Sequence, residues 1–162
     1  MEKRMVRMRV NGRPYEASVE PRKLLVDVLR EDFGLTGTHV GCEHGVCGAC
    51  TIQLEGEAVR SCLMFAVQAD GAELSTVEGL AADRQLSPLQ ESFSEHHALQ
   101  CGFCTAGILM SLDSYMREHP GASESEIQVA LSGNLCRCTG YRNIVRAACA
   151  VSSLAPKEER DG

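Results

Sequence analysis

Nine cysteines in 162 residues fall into two sets of four, with one left over. Cys42, Cys47, Cys50 and Cys62 lie in the first half, Cys101, Cys104, Cys136 and Cys138 in the second, and Cys149 stands alone. No other feature constrains the fold as much, because thiols that act together must be brought to one place from distant points of the chain. The opening segment MEKRMVRMRV is basic but lacks the continuous apolar stretch of a secretory leader, so a cytoplasmic location is expected. Thiols there are kept reduced, which argues against disulfides and leaves metal ligation, catalysis or plain packing. Two groups of four point to two metal centres.

Composition narrows the classes further. Apolar residues make up 44%, enough for a real core, but aromatics are only 4% and Trp is absent. Two small cores with so little aromatic burial gain little from it and are expected to need another source of stability. A formal charge of −6 argues against a nucleic-acid binder, which carries a basic face. No apolar run approaches the roughly 20 residues of a membrane span.

The first half reads as strands around a helix. MVRMRVNGRPYEASV alternates with Val6, Met8 and Val10 on one side and contains Asn11-Gly12, a hairpin signal. RKLLVDVLREDFG places Leu24, Leu25, Val28 and Leu29 on one helical face, with Gly34 as C-cap. CTIQLEGEAVRSC is a second pair of strands turning near Gly56, and AELSTVEG supplies a further short strand that closes a small mixed sheet. The second half is helical. Ser87, Pro88 and Gln90 form a capping box, TAGILMSLDSYMREHPG spaces Ile108, Leu109, Leu112 and Met116 along one face, and Ser123 to Glu126 opens a short helix carrying Ile127, Ala130 and Leu131. RNIVRAACAV is a last helix. The change of pattern near Gly79 to Ser87 marks a solvated linker, and APKEERDG is a polar tail expected to be disordered.

The first cysteine set runs C-x4-C-x2-C-x11-C. Its leading part has the plant-type [2Fe–2S] ferredoxin spacing, with the fourth cysteine arriving from further on. Gly41, Gly45 and Gly48 permit the positive φ values and close approach that a loop wrapped around a compact cluster demands. Four thiolates also suit tetrahedral zinc, although zinc sites usually pair two knuckles instead of placing three thiols in nine residues. A Rieske centre would need two histidines as ligands. Only His44 lies inside the loop, so His44 and the preceding His39 are read as loop residues. The second set runs C-x2-C-x31-C-x-C, in QCGFC and NLCRC. Each pair sits in a short turn beside a helix, and two such turns meeting at one end of a bundle would gather four thiolates. Cys149, beside Ile144, Val145 and Ala148, reads as helix packing. His96 and His97 fall where they can interact with the dipole of the Ser87 helix.

GCEHGVCGACTIQLEG with RSCLMFAVQADG, and ALQCGFCTAGILMS with GNLCRCTGYRNIVRA, resemble the iron–sulfur subunit of the molybdenum hydroxylases, the xanthine dehydrogenase family. The resemblance covers nearly all of residues 4 to 151. It implies an α+β chain: a plant-type ferredoxin β-grasp domain over residues 1–79, then an all-α four-helix domain over residues 80–162, each holding one [2Fe–2S] cluster. It assigns Cys42, Cys47, Cys50 and Cys62 to the first cluster and Cys101, Cys104, Cys136 and Cys138 to the second. It also places Gln100 and Cys138 at the edge of a pterin. The implied partners are a large subunit holding molybdopterin, of the cytosine dinucleotide type, and a medium subunit holding FAD, assembled as a dimer of heterotrimers. One departure is Ala106, where many relatives carry proline; alanine is a good helix former, so no consequence is expected.

The residues themselves show no evident general base, nucleophile or nucleotide fingerprint. The reading that follows is an electron-transfer subunit, non-catalytic by itself, relaying electrons from molybdopterin through two clusters to FAD, with an aromatic N-heterocycle as substrate of the complex. A free-standing two-cluster ferredoxin and a zinc-bound structural protein are the rivals.

Overall fold

A computed structural model describes residues 2–81 and 85–153. Strand β1 (Arg4–Val10) buries Val6, Met8 and Val10 on alternate positions, which fixes its register against β2 (Arg13–Val19). Asn11 and Gly12 join them with φ of 51° and 75°, the mirror-image turn that suits the twist of a two-residue hairpin. The second hairpin, β3 (Thr51–Leu54) to β4 (Glu57–Arg60), uses the same device at Glu55 and Gly56, with φ of 51° and 93°. Strand β5 (Glu73–Ser75) lies between the hairpins, parallel to β1 and antiparallel to β3, so the sheet order is β2-β1-β5-β3-β4. The expected mixed sheet is therefore present.

The helix packed on this sheet differs from the expectation of one regular α-helix. Helix α1 (Leu25–Asp27) passes into a π-helical turn over Val28–Asp32, closed by the Phe33 N–H donating to the Val28 carbonyl at 3.0 Å. Leu25, Val28 and Leu29 all face the core, while Leu24 stands at the N-cap instead of on the helical face. These three keep the i, i+3, i+4 spacing of one helical face, so the wider turn alters how the helix closes and not which side chains reach the sheet. Gly34 follows with φ of 71°, as its C-cap role requires.

Four helices make the second layer: α2 (Pro88–Glu95), α3 (Thr105–Glu118), α4 (Glu124–Ala130) and α5 (Arg142–Ser152). Both capping boxes form, Ser87 with Gln90 and Ser123 with Glu126. His96 ends α2 with its Nδ1 2.9 Å from the Ser92 carbonyl, and His97 turns the chain at φ 50°. Phe93, Ile108, Leu112, Ile127 and Ile144 centre this core, and Cys149 packs at its margin. The polar tail and residues 82–84 of the linker lie outside the described residues. Among the described residues no helix is long and apolar enough to cross a membrane.

The two layers meet where α3 lies along β3 and β4, and several polar groups bond across that seam. Gln53 is buried there. Its Nε2 donates to the Met110 carbonyl at 3.1 Å and to Asp113 at 2.8 Å, while its Oε1 accepts from Arg117 at 2.6 Å. Arg60 reaches from β4 to donate to Thr51 Oγ1 at 2.5 Å and to the Gly133 carbonyl at 2.7 Å. Buried backbone and amide groups that find partners only across the seam hold the halves in one relative position.

Candidate metal centres

Cys42, Cys47 and Cys50 lie on the loop before β3 and Cys62 follows β4, so the length of one hairpin explains the last spacing of the first set. Thr51 pairs with Arg60 across β3 and β4, so the residues just outside, Cys50 and Ser61, face each other. The Ser61 N–H and hydroxyl both donate to the Cys50 carbonyl, at 3.3 and 2.7 Å. Cys62 is the next residue and is delivered beside Cys50. Both sulfur-bearing residues are buried with Val26, against Leu24 and Val40.

Cys42 and Cys47 form the other half. The Cys47 N–H points at Cys42 Sγ from 3.4 Å, and the N–H groups of His44 and Val46 face the same sulfur. As a free thiol Cys42 is pulled down to about 6, chiefly by the Cys47 and His44 backbone donors. Cys62 is pushed up to about 11 by burial and then by neighbouring Cys50. Gly45 and Gly48 adopt the expected positive φ, 81° and 74°; Gly41 does not, and instead a Cβ there would stand 3.1 Å from Cys47 Sγ. His44 turns its Nδ1 to the Cys42 carbonyl, and His39 places Nδ1 2.8 Å from the Phe103 carbonyl and stacks on the Phe103 ring.

The second set gathers at one end of the helical layer. Cys101 precedes a turn through Gly102 at φ 81°, and Cys104 is the N-cap residue of α3. Cys136 and Cys138 occupy the turn before α5. Cys138 Sγ lies 3.5 Å from Cys101 Sγ, and Cys136 neighbours Cys104 across the site. As free thiols the second pair diverges. Burial, then Cys136, pushes Cys104 up to about 12. Burial also raises Cys136, but Thr139 and the backbone N–H groups outweigh it and the net shift is downward. Cys138 is raised by its contact with Cys101. Gln100, Cys101 and Cys138 are all exposed, forming one open edge of the site.

In both places the sulfurs come as two pairs: Cys42 with Cys47 and Cys50 with Cys62, then Cys101 with Cys138 and Cys104 with Cys136. A single tetrahedral ion needs four sulfurs about one point. Among the described residues no three His, Cys, Asp or Glu side chains converge in that way. Paired thiols instead fit a binuclear cluster, one pair to each iron, and N–H groups aimed at sulfur fit its negative charge. A short backbone link joins the two sites, the Leu135 N–H donating to the Cys47 carbonyl at 2.9 Å.

Sequence reasoning passed over several residues that build these sites. Tyr141 holds φ 64°, accepts from the Cys136 N–H at 2.7 Å and donates to the Asn134 carbonyl at 3.0 Å. Asn134 and Gly107 brace the loop between Cys47 and Cys50 from the helical side, and Arg60 reaches the other way, from β4 to the Gly133 carbonyl. Their only advance signal was proximity in sequence to the cysteines, which does not assign a contact.

A family model described as a 2Fe-2S iron-sulfur cluster binding domain matches residues 8–81, and one described as a [2Fe-2S] binding domain matches residues 76–149. The chain is 53% identical over 162 residues to the caffeine dehydrogenase subunit gamma of Pseudomonas sp. (strain CBB1), covering 98% of this chain and 95% of that one. It is 59% identical over 138 residues to the nicotine 6-hydroxylase small subunit of Paenarthrobacter nicotinovorans, covering 85% and 83%. In the crystal structure of quinoline 2-oxidoreductase from Pseudomonas putida 86, one chain superposes with a TM-score of 0.91 at 50% identity, over 94% of both chains.

Proposed function

As the chain belongs to the iron–sulfur subunits of the molybdenum hydroxylases, with two [2Fe–2S]-binding domains in an oxidoreductase complex, we propose that it relays electrons from molybdopterin on a large subunit to FAD on a medium subunit. When bound, each [2Fe–2S] cluster supplies a site that takes up and gives back one electron at a time. Cys101 and Cys138 hold one iron of the helical-domain cluster and Cys104 with Cys136 the other. In the ferredoxin domain Cys42 and Cys47 hold one iron and Cys50 with Cys62 the other. The domain boundary in this reading falls between Gly79 and Leu80.

The observation that carries the proposal is the backbone bridge between the two sulfur sets. Cys136 follows Leu135, whose N–H donates to the carbonyl of Cys47, so a ligand of one cluster and a ligand of the other are separated by a few covalent bonds and one hydrogen bond. At the outer end, exposed Gln100 and Cys138 form the face offered to the pterin. A side-chain amide carries both donor and acceptor for such a rim. The caffeine, nicotine and quinoline enzymes among the relatives are named for N-heterocycles, which supports an aromatic N-heterocycle as substrate of the complex. The large subunit, carrying the cytosine dinucleotide form of molybdopterin, and the medium subunit complete a dimer of heterotrimers.

The test uses the co-purified complex. Cys47→Ser should remove the electron paramagnetic resonance signal of one cluster and spare the other, and Cys136→Ser should do the reverse. Loss of both from either change would mean one shared centre or two domains that fold only together, and zinc in place of iron would end the reading. Gln100→Ala should keep both clusters while lowering pterin content or slowing reduction of the helical-domain cluster by substrate; wild-type values for both would make Gln100 a structural residue.

A further inference from the structure

The turn that carries Cys136 and Cys138 contains a chain of hydrogen bonds whose direction is set by chemistry. Thr139 Oγ1 lies 3.0 Å from Cys136 Sγ, and the Thr139 N–H points at the same sulfur from 3.5 Å. Either a hydroxyl or a thiol could donate in the first contact. A thiolate bound to iron has no proton, so the hydroxyl must be the donor. Thr139 Oγ1 is also the acceptor for the Tyr141 N–H at 3.2 Å. That bond occupies a lone pair and leaves the hydroxyl proton for sulfur. Gly140, between the two, holds a left-handed φ of 64° and turns the chain so that this N–H faces back to Thr139, and Tyr141 itself holds φ 64°, a conformation costly for a non-glycine residue. Its phenol secures it, accepting from the Cys136 N–H and donating to the Asn134 carbonyl. Among the described residues, Thr139 is the one hydroxyl within hydrogen-bond distance of any of the eight paired cysteine sulfurs.

We propose that the Thr139 hydroxyl, held by Tyr141, sets the reduction potential of the helical-domain cluster by donating to Cys136 Sγ. This rests on the reading of that site as a [2Fe–2S] centre. Reduction adds one electron to the cluster without making or breaking a bond, so its cost depends on how well the surroundings accept one more negative charge. A donor on a ligand sulfur draws density from it and favours the reduced form, and hydrogen bonds to sulfur are among the features that tune such potentials. The hydroxyl reaches the Cys104 and Cys136 pair alone, so its effect would fall on the iron those two cysteines would hold. Thr139 is a positioning residue, since it acts through Cys136 and not on substrate.

The experiment is a redox titration of the assembled complex, monitored by electron paramagnetic resonance, for the native chain and for Thr139→Val, Thr139→Ala and Thr139→Ser. The helical-domain signal should titrate at a lower potential in the valine and alanine variants and near the native potential in the serine variant, which restores the hydroxyl. The ferredoxin-domain signal should not move in any of them. Native potential in the valine or alanine variant overturns the proposal, as does an equal shift in all three. Loss of the cluster from both valine and alanine variants also counts against it, because the role assigned is tuning and not assembly. Absence of a second iron–sulfur signal from the native complex would overturn the site reading as well, which separates the two failures.

Discussion

Replacing Gly107 with alanine should destabilise this protein, although the same change in an unobstructed helix stabilises. Gly107 lies in the first turns of α3, where the helix crosses the loop between Cys47 and Cys50. A Cβ added there would stand 2.2 Å from the Gly48 carbonyl oxygen and 3.0 Å from that of Ala49. Both obstacles are backbone, so no side chain can rotate away, and α3 would have to withdraw by about 1 Å to reach ordinary contact. Overpacking of this kind costs about 1–3 kcal/mol. The withdrawal also stretches the Gln53 bonds to Met110 and Asp113, buried bonds worth about 1 kcal/mol each. Against this, alanine gains about 1 kcal/mol over glycine in helix propensity. The net loss is about 2–4 kcal/mol, a fall in midpoint of roughly 4–16 °C for a chain of this size. Differential scanning calorimetry with parallel bleaching of visible absorption would read it, and the ferredoxin-domain signal should fade first because the clash falls on its ligand loop. An unchanged or raised midpoint would refute the close approach of α3 to that loop.

Arg60→Met should cost about 1–3 kcal/mol, because it removes both donors from Thr51 Oγ1 and the Gly133 carbonyl at the seam; denaturant unfolding at wild-type midpoint would contradict this. After chelation of metal, Cys42 should be alkylated by iodoacetamide at pH 7 well before Cys104. With its value lowered to about 6 Cys42 is mostly thiolate there, whereas Cys104, raised to about 12, remains a thiol. Labelling of Cys42, followed by peptide mass, should rise through pH 6 and then level off, and equal labelling of the two sites at pH 7 would show that the backbone donors do not face Cys42.

Much of this architecture was legible along the chain wherever a rule acts over a few residues. Asn11-Gly12 turned β1 into β2 because those residues tolerate positive φ, and Ser87 and Ser123 started helices because a hydroxyl can reach an N–H three residues on. The cysteine spacing, together with the resemblance it carried, separated two centres along the chain. The π-helical turn at Val28–Asp32 was not legible, since periodicity records which residues are apolar and not how tightly the helix is wound.

By itself the sequence determined the elements, the two sets of four thiols and the family to which they belong. Only the tertiary structure decided which sulfur stands beside which. Cys104 meets Cys136 because the N-cap of α3 and the turn before α5 come together at one end of the shared helical core, a matter of packing and not of spacing. It also decided that β5 enters the sheet parallel to β1, that Leu135 bonds to Cys47, and that Tyr141 braces Thr139. The physical reason is range: caps, turns and alternation are settled by neighbours within a turn of the chain, whereas these contacts join segments that only the burial of two cores and their shared polar seam brings within hydrogen-bond distance.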